Sequence, residues 1–289
     1  MTEPAVTIFG EVLFDCFPNG ERVLGGAPFN ICWHLQALGD HPVFLSRIGR
    51  DSLGEAIRKR AEAWGISTQN IQTDDVHPTG KVEVTLIDKE PHYEITPDSA
   101  YDFISGDETV LPRSGGILYH GSLALRSHYA REQFEKILAA GDWSIFLDVN
   151  LRAPWWEKEV LFRWLRRARW IKLNMDELRQ LGFAGPDVQA AMQAFRKRFA
   201  CEQLIVTQGA EGVAILTPQG FYRQTPKALG RFVDTVGAGD AFTAVYIHGL
   251  LRNWPLKKIL EQAQSFAGRV IGLRGATCDN VDFYTDLLG

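Results

Sequence analysis

The stretch DTVGAGDAF, Asp234 to Phe242, places Gly237, Ala238 and Gly239 between two aspartates, directly ahead of an apolar helical pattern. Glycine costs conformational entropy on folding, so a pair at the mouth of a helix calls for something that must approach the main chain closely. One chemistry that needs this is an anion site with a catalytic carboxylate, Asp240, beside it. The plainer alternative is a helix start with an acidic residue in its first turn.

Three further constellations have chemistry in them. GGAPFN, Gly25 to Asn30, reads as a tight glycine turn opening a helix, with Pro28 accepted in the first turn. Asn30 would project near that turn, where its amide both donates and accepts, as sugar hydroxyls require. Asp15, just past the first strand, could accept from two hydroxyls; taken alone, Asp15 is equally a loop cap and Asn30 a surface polar residue. In KLNMDEL, Asn174 and Glu177 stand three apart in one helical turn. An amide with a carboxylate suits a magnesium–water or phosphate network better than a direct metal cage, because magnesium keeps much of its water. LIVTQGAEGVAIL is a strand, a glycine turn and a strand, where Thr207, Gly209 and Gly212 would let a nucleotide lie on bare backbone, or simply form a hairpin. The familiar nucleotide signatures are missing. GxxxxGK[ST] does not occur, and GEVLFD after the first strand has Gly10 but no second or third glycine. No glycine-rich protein-kinase loop with an HRD triplet occurs either.

The elements that must position these residues alternate. AVTIFG, PVFLSRIG, GGILYHG, SIFLDVN, RWIKLN and QLIVTQG read as buried strands, and APFNICWHLQALG as the first helix. VQAAMQAFRKRF carries Val188, Ala191, Met192, Phe195 and Phe199 in one stripe, and Ile259 to Ile271 trace another. Strand–helix alternation with little polar relief in the strands predicts an α/β fold, a mostly parallel sheet covered by helices, with ligands beyond the carboxyl ends of the strands. Gly80 to Ile104 breaks the rhythm. Val82, Val84 and Leu86 alternate with polar residues, a charged turn follows, and a second strand returns: a hairpin or small sheet, either decoration or a lid.

Composition excludes several classes. Of 289 residues, 31 are basic and 35 acidic, a net charge of −4, so nothing marks a nucleic-acid or membrane partner. RWLRRARW, Arg163 to Trp170, fits a solvated helix face. Cys16, Cys32, Cys201 and Cys278 are scattered, without a zinc or disulfide spacing. No basic leader precedes an apolar stretch and no long apolar run occurs, which makes the cytoplasm the expected setting.

Together, Gly25-Gly26 with Asn30, RIGRDSLGEAI, Asn174-x-x-Glu177, Thr207-x-Gly209 and DTVGAGDAF resemble, in order and over nearly the whole chain, the ribokinase-like (PfkB-type) carbohydrate kinases. The resemblance implies one ribokinase-like three-layer domain, residues 1–289, with lid segments at approximately 11–25 and 80–104. It implies transfer of a phosphoryl group from ATP to a sugar hydroxymethyl group. Asp240 would be the base, kept ionised by the positive end of its helix, and the amides of Gly237, Ala238 and Gly239 the anion hole. Asp15, Gly25, Gly26, Asn30 and Arg152 would hold the sugar. Asn174, Thr207, Gly209, Gly212, Gly237 and Gly239 would meet the nucleotide, and Glu177 would meet Mg²⁺ through water. Asp234, with carbonyls from Gly272 to Thr277, would serve a potassium ion, and a homodimer is compatible with the resemblance.

Within the family, GEVLFDCFP, GGAPFN and FLDVNLR look most like fructokinases, with two departures: Val149 where proline is usual, and Phe29 where a small residue is common. Phe29 would either narrow the sugar pocket or pack in the core. Arg152 could reach an anionic or polyol end of a substrate, which keeps 2-keto-3-deoxygluconate kinase and ribokinase-type activities as alternatives. A sugar-binding regulator on the same fold is the non-enzyme alternative, and a dinucleotide oxidoreductase is weakened by the missing fingerprint.

Overall fold

The computed structural model describes residues 6–87, 90–112, 115–225 and 236–287. Strands β1 (Val6–Phe9), β2 (Leu13–Cys16) and β3 (Arg22–Gly25) lead into α1 (Ala27–Ala37), followed by β4 (Val43–Gly49), α2 (Ser52–Ala63) and β5 (Ile71–Asp74). A hairpin of β6 (Gly80–Ile87) and β7 (Glu90–Ile95) comes next. Then β8 (Gly116–His120), α3 (His128–Ala139), β9 (Trp143–Asp148), α4 (Lys158–Leu165), β10 (Trp170–Asn174) and α5 (Met175–Gln180) alternate. The chain continues with α6 (Val188–Arg198), β11 (Gln203–Thr207), β12 (Val213–Thr217), β13 (Gly220–Gln224), α7 (Ala238–Leu251) and α8 (Leu256–Val270).

The main sheet runs β13-β12-β11-β10-β9-β8-β1-β4-β5. From β11 to β5 every neighbour is parallel, while β12 and β13 are added antiparallel as a meander. Strands buried on both faces must be apolar on both, which is why they read as unbroken apolar runs. Alternate side chains feed two cores. Val6, Ile8, Phe146 and Ile205 pack under α1, α2, α7 and α8, whereas Phe9, Leu147, Leu204 and Val206 pack under the α3–α6 layer. Helix α8 buries Ile259, Leu260, Ala263, Phe266 and Val270, and α6 buries Ala191, Met192 and Phe195, as their stripes predict. Helices α1 and α7 are apolar nearly all round because each is covered on several sides. Phe29 belongs to this core, 5.9 Å from the Trp33 ring and 5.7 Å from Phe44.

A second, four-stranded sheet has the order β3-β2-β6-β7. It joins the segment after β1 to the hairpin after β5, so the alternation read from Gly80 does mark a small sheet. Its strand pairing ends at Ile95, short of the expected Ile104. Asp98 takes φ 49, and Ser99 and Asp102 form a capping box around a short 3₁₀ turn, Ala100–Phe103, which buries Tyr101. The cause is a buried ion pair. Arg126 Nε donates to Asp102 Oδ1 (2.7 Å) and its Nη2 to Asp102 Oδ2 (2.5 Å) and Thr96 O (2.8 Å), with the guanidinium over the Tyr101 and Trp155 rings. The basic cluster also departs from a simple helix face: α4 stops at Leu165, with Trp164 buried and Arg163 exposed.

Removing one partner of a buried pair leaves an uncompensated charge and costs about 3–5 kcal/mol. Asp102→Asn should destabilise the fold by that amount in urea unfolding without changing the m-value. A loss below about 1 kcal/mol would show that the pair does not anchor this segment.

Candidate active site

The carboxyl edge of the parallel sheet gathers the polar residues. Glu11 follows β1, Asp148 ends β9, and Asn174 and Thr207 end β10 and β11 as register partners. Ligand sites of open parallel sheets form beyond this edge.

Helices α1 and α7 start here too. Gly26 takes φ 104, and a Cβ on it would lie 2.7 Å from Glu11 O, so only glycine lets α1 begin against this turn. One turn into α1, Asn30 is buried and its Nδ2 donates to Asp240 Oδ2 at 2.8 Å, while its Oδ1 has no protein partner. Gly237 caps α7 in the left-handed region (φ 80), and a Cβ there would sit 2.3 Å from Ala276 Cβ. The backbone amides of the first turn of α7 have no partners within the helix, so they can receive an anion next to Asp240. Asp234 lies outside the described residues.

The electrostatics differ from the sequence expectation. Burial pushes the Asp240 carboxyl up to about 6, against the opposing pull of the Asn30 hydrogen bond; Asp148 raises it further, and Lys172 and Arg152 lower it. Desolvation therefore outweighs the helix start. Beneath Asp240, Lys172 Nζ donates to Asp148 Oδ2 (2.7 Å), with both side chains buried. The Thr243 hydroxyl lies 3.0 Å from the same oxygen and 2.9 Å from Gly239 O. The Val149 amide donates to Lys172 O (2.8 Å), a bond that proline could not make, so this departure from the fructokinase pattern extends the β9–β10 contact.

On one side of Asp240, Asp15 is half-buried in β2, opposite Val23 and Val82, and Gly25 ends β3 opposite Leu13. A Cβ on Gly25 would come 3.8 Å from Asp15 Oδ2. Burial raises the Asp15 carboxyl and Arg152 lowers it; the Arg152 charge also acts on Glu11 and Asp240. Asp15, Gly25, Gly26, Asn30, Arg152 and Asp240 thus belong to one neighbourhood. Arg152 is exposed and follows Asn150, whose left-handed φ of 38 turns the chain after β9.

On the other side, Asn174 and Thr207 border a cleft of about 630 Å³ with Gly209, Arg179 and Arg223. Gly212 is buried and does not line it; its carbonyl accepts from Gln208 N (2.8 Å) to close the turn. Asn174 and Glu177 form a reciprocal capping box: Asn174 Oδ1 accepts from Glu177 N and Glu177 Oε2 from Asn174 N, each at 2.8 Å. Glu177 Oε1 accepts from Leu151 N (2.8 Å), so this carboxylate also steadies the loop that carries Arg152.

Sequence reasoning missed Glu11, Asp148, Lys172 and Thr243. The signal was a charge inside or directly after an apolar strand: Lys172 in WIKLN, Asp148 in SIFLD and Glu11 after VTIFG. A strand interior hosts such a group only with a partner or a function. Glu11 is 3% exposed, its Oε2 has no protein partner, and burial pushes its carboxyl from 4.5 up to about 7. An acid whose folded pKa lies above its unfolded one weakens the fold as pH rises between the two values, by about 3 kcal/mol once above both. Glu11→Gln keeps the neutral shape and removes that penalty. Its Tm should match the wild type near pH 4 and exceed it at pH 8; parallel curves across this range would show that Glu11 titrates as an ordinary carboxylate.

Known proteins resemble this chain in sequence and in fold. Residues 11–282 match the pattern of the pfkB family of carbohydrate kinases. A fructokinase of Salmonella typhimurium is 29% identical over 266 residues, 86% of this chain and 85% of that one. Two solved structures share the fold. Aminoimidazole riboside kinase from Salmonella enterica, complexed with aminoimidazole riboside and an ATP analog, has a TM-score of 0.84 at 24% identity, covering 98% of this chain and 99% of that one. Fructokinase from Vibrio cholerae O395, with fructose, ADP and calcium bound, has a TM-score of 0.82 at 23% identity, covering 97% of each chain. With glycine turns, paired carboxylate and amide, and a ribokinase-like sheet all in place, the chain belongs to the pfkB family of carbohydrate kinases and is a sugar phosphotransferase.

Proposed function

We propose that the protein transfers the γ-phosphoryl group of ATP to a hydroxymethyl group of D-fructose. The observation that carries this reading is Asp240, which stands in the first turn of α7 beside amides that have no partner within the helix and is held by Asn30 from α1. Phosphoryl transfer has a loose transition state, so the protein's part is to position reactants and offset charge. Asp240 accepts the hydroxyl proton as the new O–P bond forms and the bond from γ-phosphorus to the ADP oxygen breaks. The amides of Gly237, Ala238 and Gly239 receive the transferring phosphoryl oxygens. Asp15, Gly25, Gly26, Asn30 and Arg152 hold the sugar, and Asn174, Thr207 and Gly209 form the nucleotide side, with Gly212 closing the turn behind them.

The donor set fits a magnesium ion that keeps its water and rides on phosphate. Each Glu177 oxygen accepts one backbone amide and retains a lone pair for a metal-bound water. When bound, the ion would neutralise phosphate charge. A potassium ion behind the anion hole would draw on Asp234 and on carbonyls of residues 272–277; the Ala276 carbonyl is already engaged, 3.0 Å from His34 Nε2. The β3-β2-β6-β7 sheet is the lid, and closure shields the phosphoryl donor from water.

Fructose is favoured by the likeness to the Salmonella typhimurium fructokinase. A sugar acid such as 2-keto-3-deoxygluconate is the second reading. Arg152 favours it, being exposed and making no side-chain hydrogen bond among the described residues. Coupled ADP release across fructose, ribose, glucose, aminoimidazole riboside and 2-keto-3-deoxygluconate should give fructose the highest kcat/KM. A tenfold preference for another member would reassign the substrate.

Asp240→Asn keeps volume and removes proton acceptance. Its kcat should fall by about 10²–10⁴, with ATP and fructose still binding and the fold intact. Near-normal kcat would leave Asp240 with a structural role only.

A further inference from the structure

Lys172 and Asp148 are a buried ion pair that the mechanism above does not use. They belong to adjacent strands and are 6% and 3% exposed. Their Nζ–Oδ2 distance is 2.7 Å, and the pair lies against the first turn of α7. A Cβ on Gly239 would be 3.7 Å from Lys172 Nζ, and Thr243, one turn beyond Asp240, reaches Asp148 Oδ2 at 3.0 Å. A buried pair of this kind is weak support for stability in itself, because both ions lose their hydration. Its position suggests another use.

We propose that Lys172 and Asp148 are positioning residues that set the ionisation of Asp240 from beneath α7, the cation favouring the carboxylate and the anion opposing it. The inference rests on the reading of Asp240 as the base. Among the described residues, the charged and titratable groups around Asp240 are Glu11 after β1, Tyr119 on β8, Asp148 on β9, Arg152 in the following loop and Lys172 on β10, with Glu177 on α5 acting on both members of the pair. Of these groups, only Lys172 and Asp148 are paired with each other, and both are buried beneath the helix start. Glu11 and Tyr119 each have an unpartnered oxygen, and Arg152 is exposed. The net charge of the pair is zero, so its effect depends on its two ends being placed at different distances from Asp240. Removing either end therefore moves Asp240 in a direction that can be stated in advance.

The test is the pH dependence of kcat/KM for fructose in the wild type, Lys172→Met, Asp148→Asn and the double variant. The acidic limb should move up by about one pH unit in Lys172→Met and down by a similar amount in Asp148→Asn. The limb of the double variant should fall between those of the two single variants, and Lys172→Arg should leave it in place. A purely structural pair would lower amplitude and stability and leave the limb where it was. Shifts of the two single variants in the same direction, or below about 0.3 unit, overturn the inference. A second readout needs no turnover. In each background, the change in Tm on adding Asp240→Asn, followed from pH 4 to 8, reports the Asp240 titration through linkage. Should Asp240→Asn itself remain active, the base reading fails, and these thermal curves still decide whether the ion pair governs the carboxyl.

Discussion

The hydrogen bond from Asn30 to Asp240 joins positions 210 residues apart and ties together the starts of α1 and α7. Both helices begin at the same edge of the sheet, and both do so through a glycine that could not carry a side chain: Gly26 against Glu11 O, and Gly237 against Ala276. The first turn of each helix is thereby brought to within one side-chain bond of the other. The His34 ring, one turn further along α1, lies against the Ala276 carbonyl, so the same helix also supports the residue behind Gly237. The amides of the first turn of α7 and the carboxylate are held by rigid elements rather than by loops, as a reaction governed by positioning demands.

That arrangement requires charge to be buried. Moving Asp240 from 3.8 to about 6 corresponds to about 3 kcal/mol, whereas a helix start typically returns about 0.3–1 kcal/mol to an acidic residue. The expectation of a carboxylate ionised by its helix therefore fails on magnitude and not on sign. A value near 6 still suits a base at neutral pH, since most of the population is ionised while proton affinity stays useful. Glu11, Asp148, Lys172 and Arg152 bear on the same carboxyl, and the balance among them replaces what water would supply at an exposed site.

Much of this was legible in the sequence. The parallel strands are apolar runs because both faces are covered, and Gly25-Gly26, Asn30, Asn174 and Asp240, each with a plain structural reading when taken alone, stood out because together and in order they resemble one family's motifs. The small sheet showed through the period-two pattern of Val82 and Val84, but its end did not, since the turn capped by Ser99 and Asp102 is held by Arg126, which comes from further along the chain. The Asn174–Glu177 spacing was read as one helical turn, but Asn174 ends β10 in extended backbone as the cap of α5, and the two side chains bond each other's backbone. Lys172 was hidden because one charge in an apolar run looks like an interruption until its partner on the next strand is seen. Long-range pairs of this kind leave a trace in composition but none in local periodicity.

The pairing inside the small sheet has a consequence for how the chain assembles. Its central contact is parallel, Leu13 beside Gly80, and the two segments leave the main sheet at different points, after β1 and after β5. Neither segment can find the other by local search, because β4, α2 and β5 lie between them in the chain. Loop-closure entropy favours docking those intervening elements first. The four strands are thus a late unit in folding. A parallel pairing of this kind closes only after the chain between its strands has crossed over, so the small sheet carries a record of how the larger one was built.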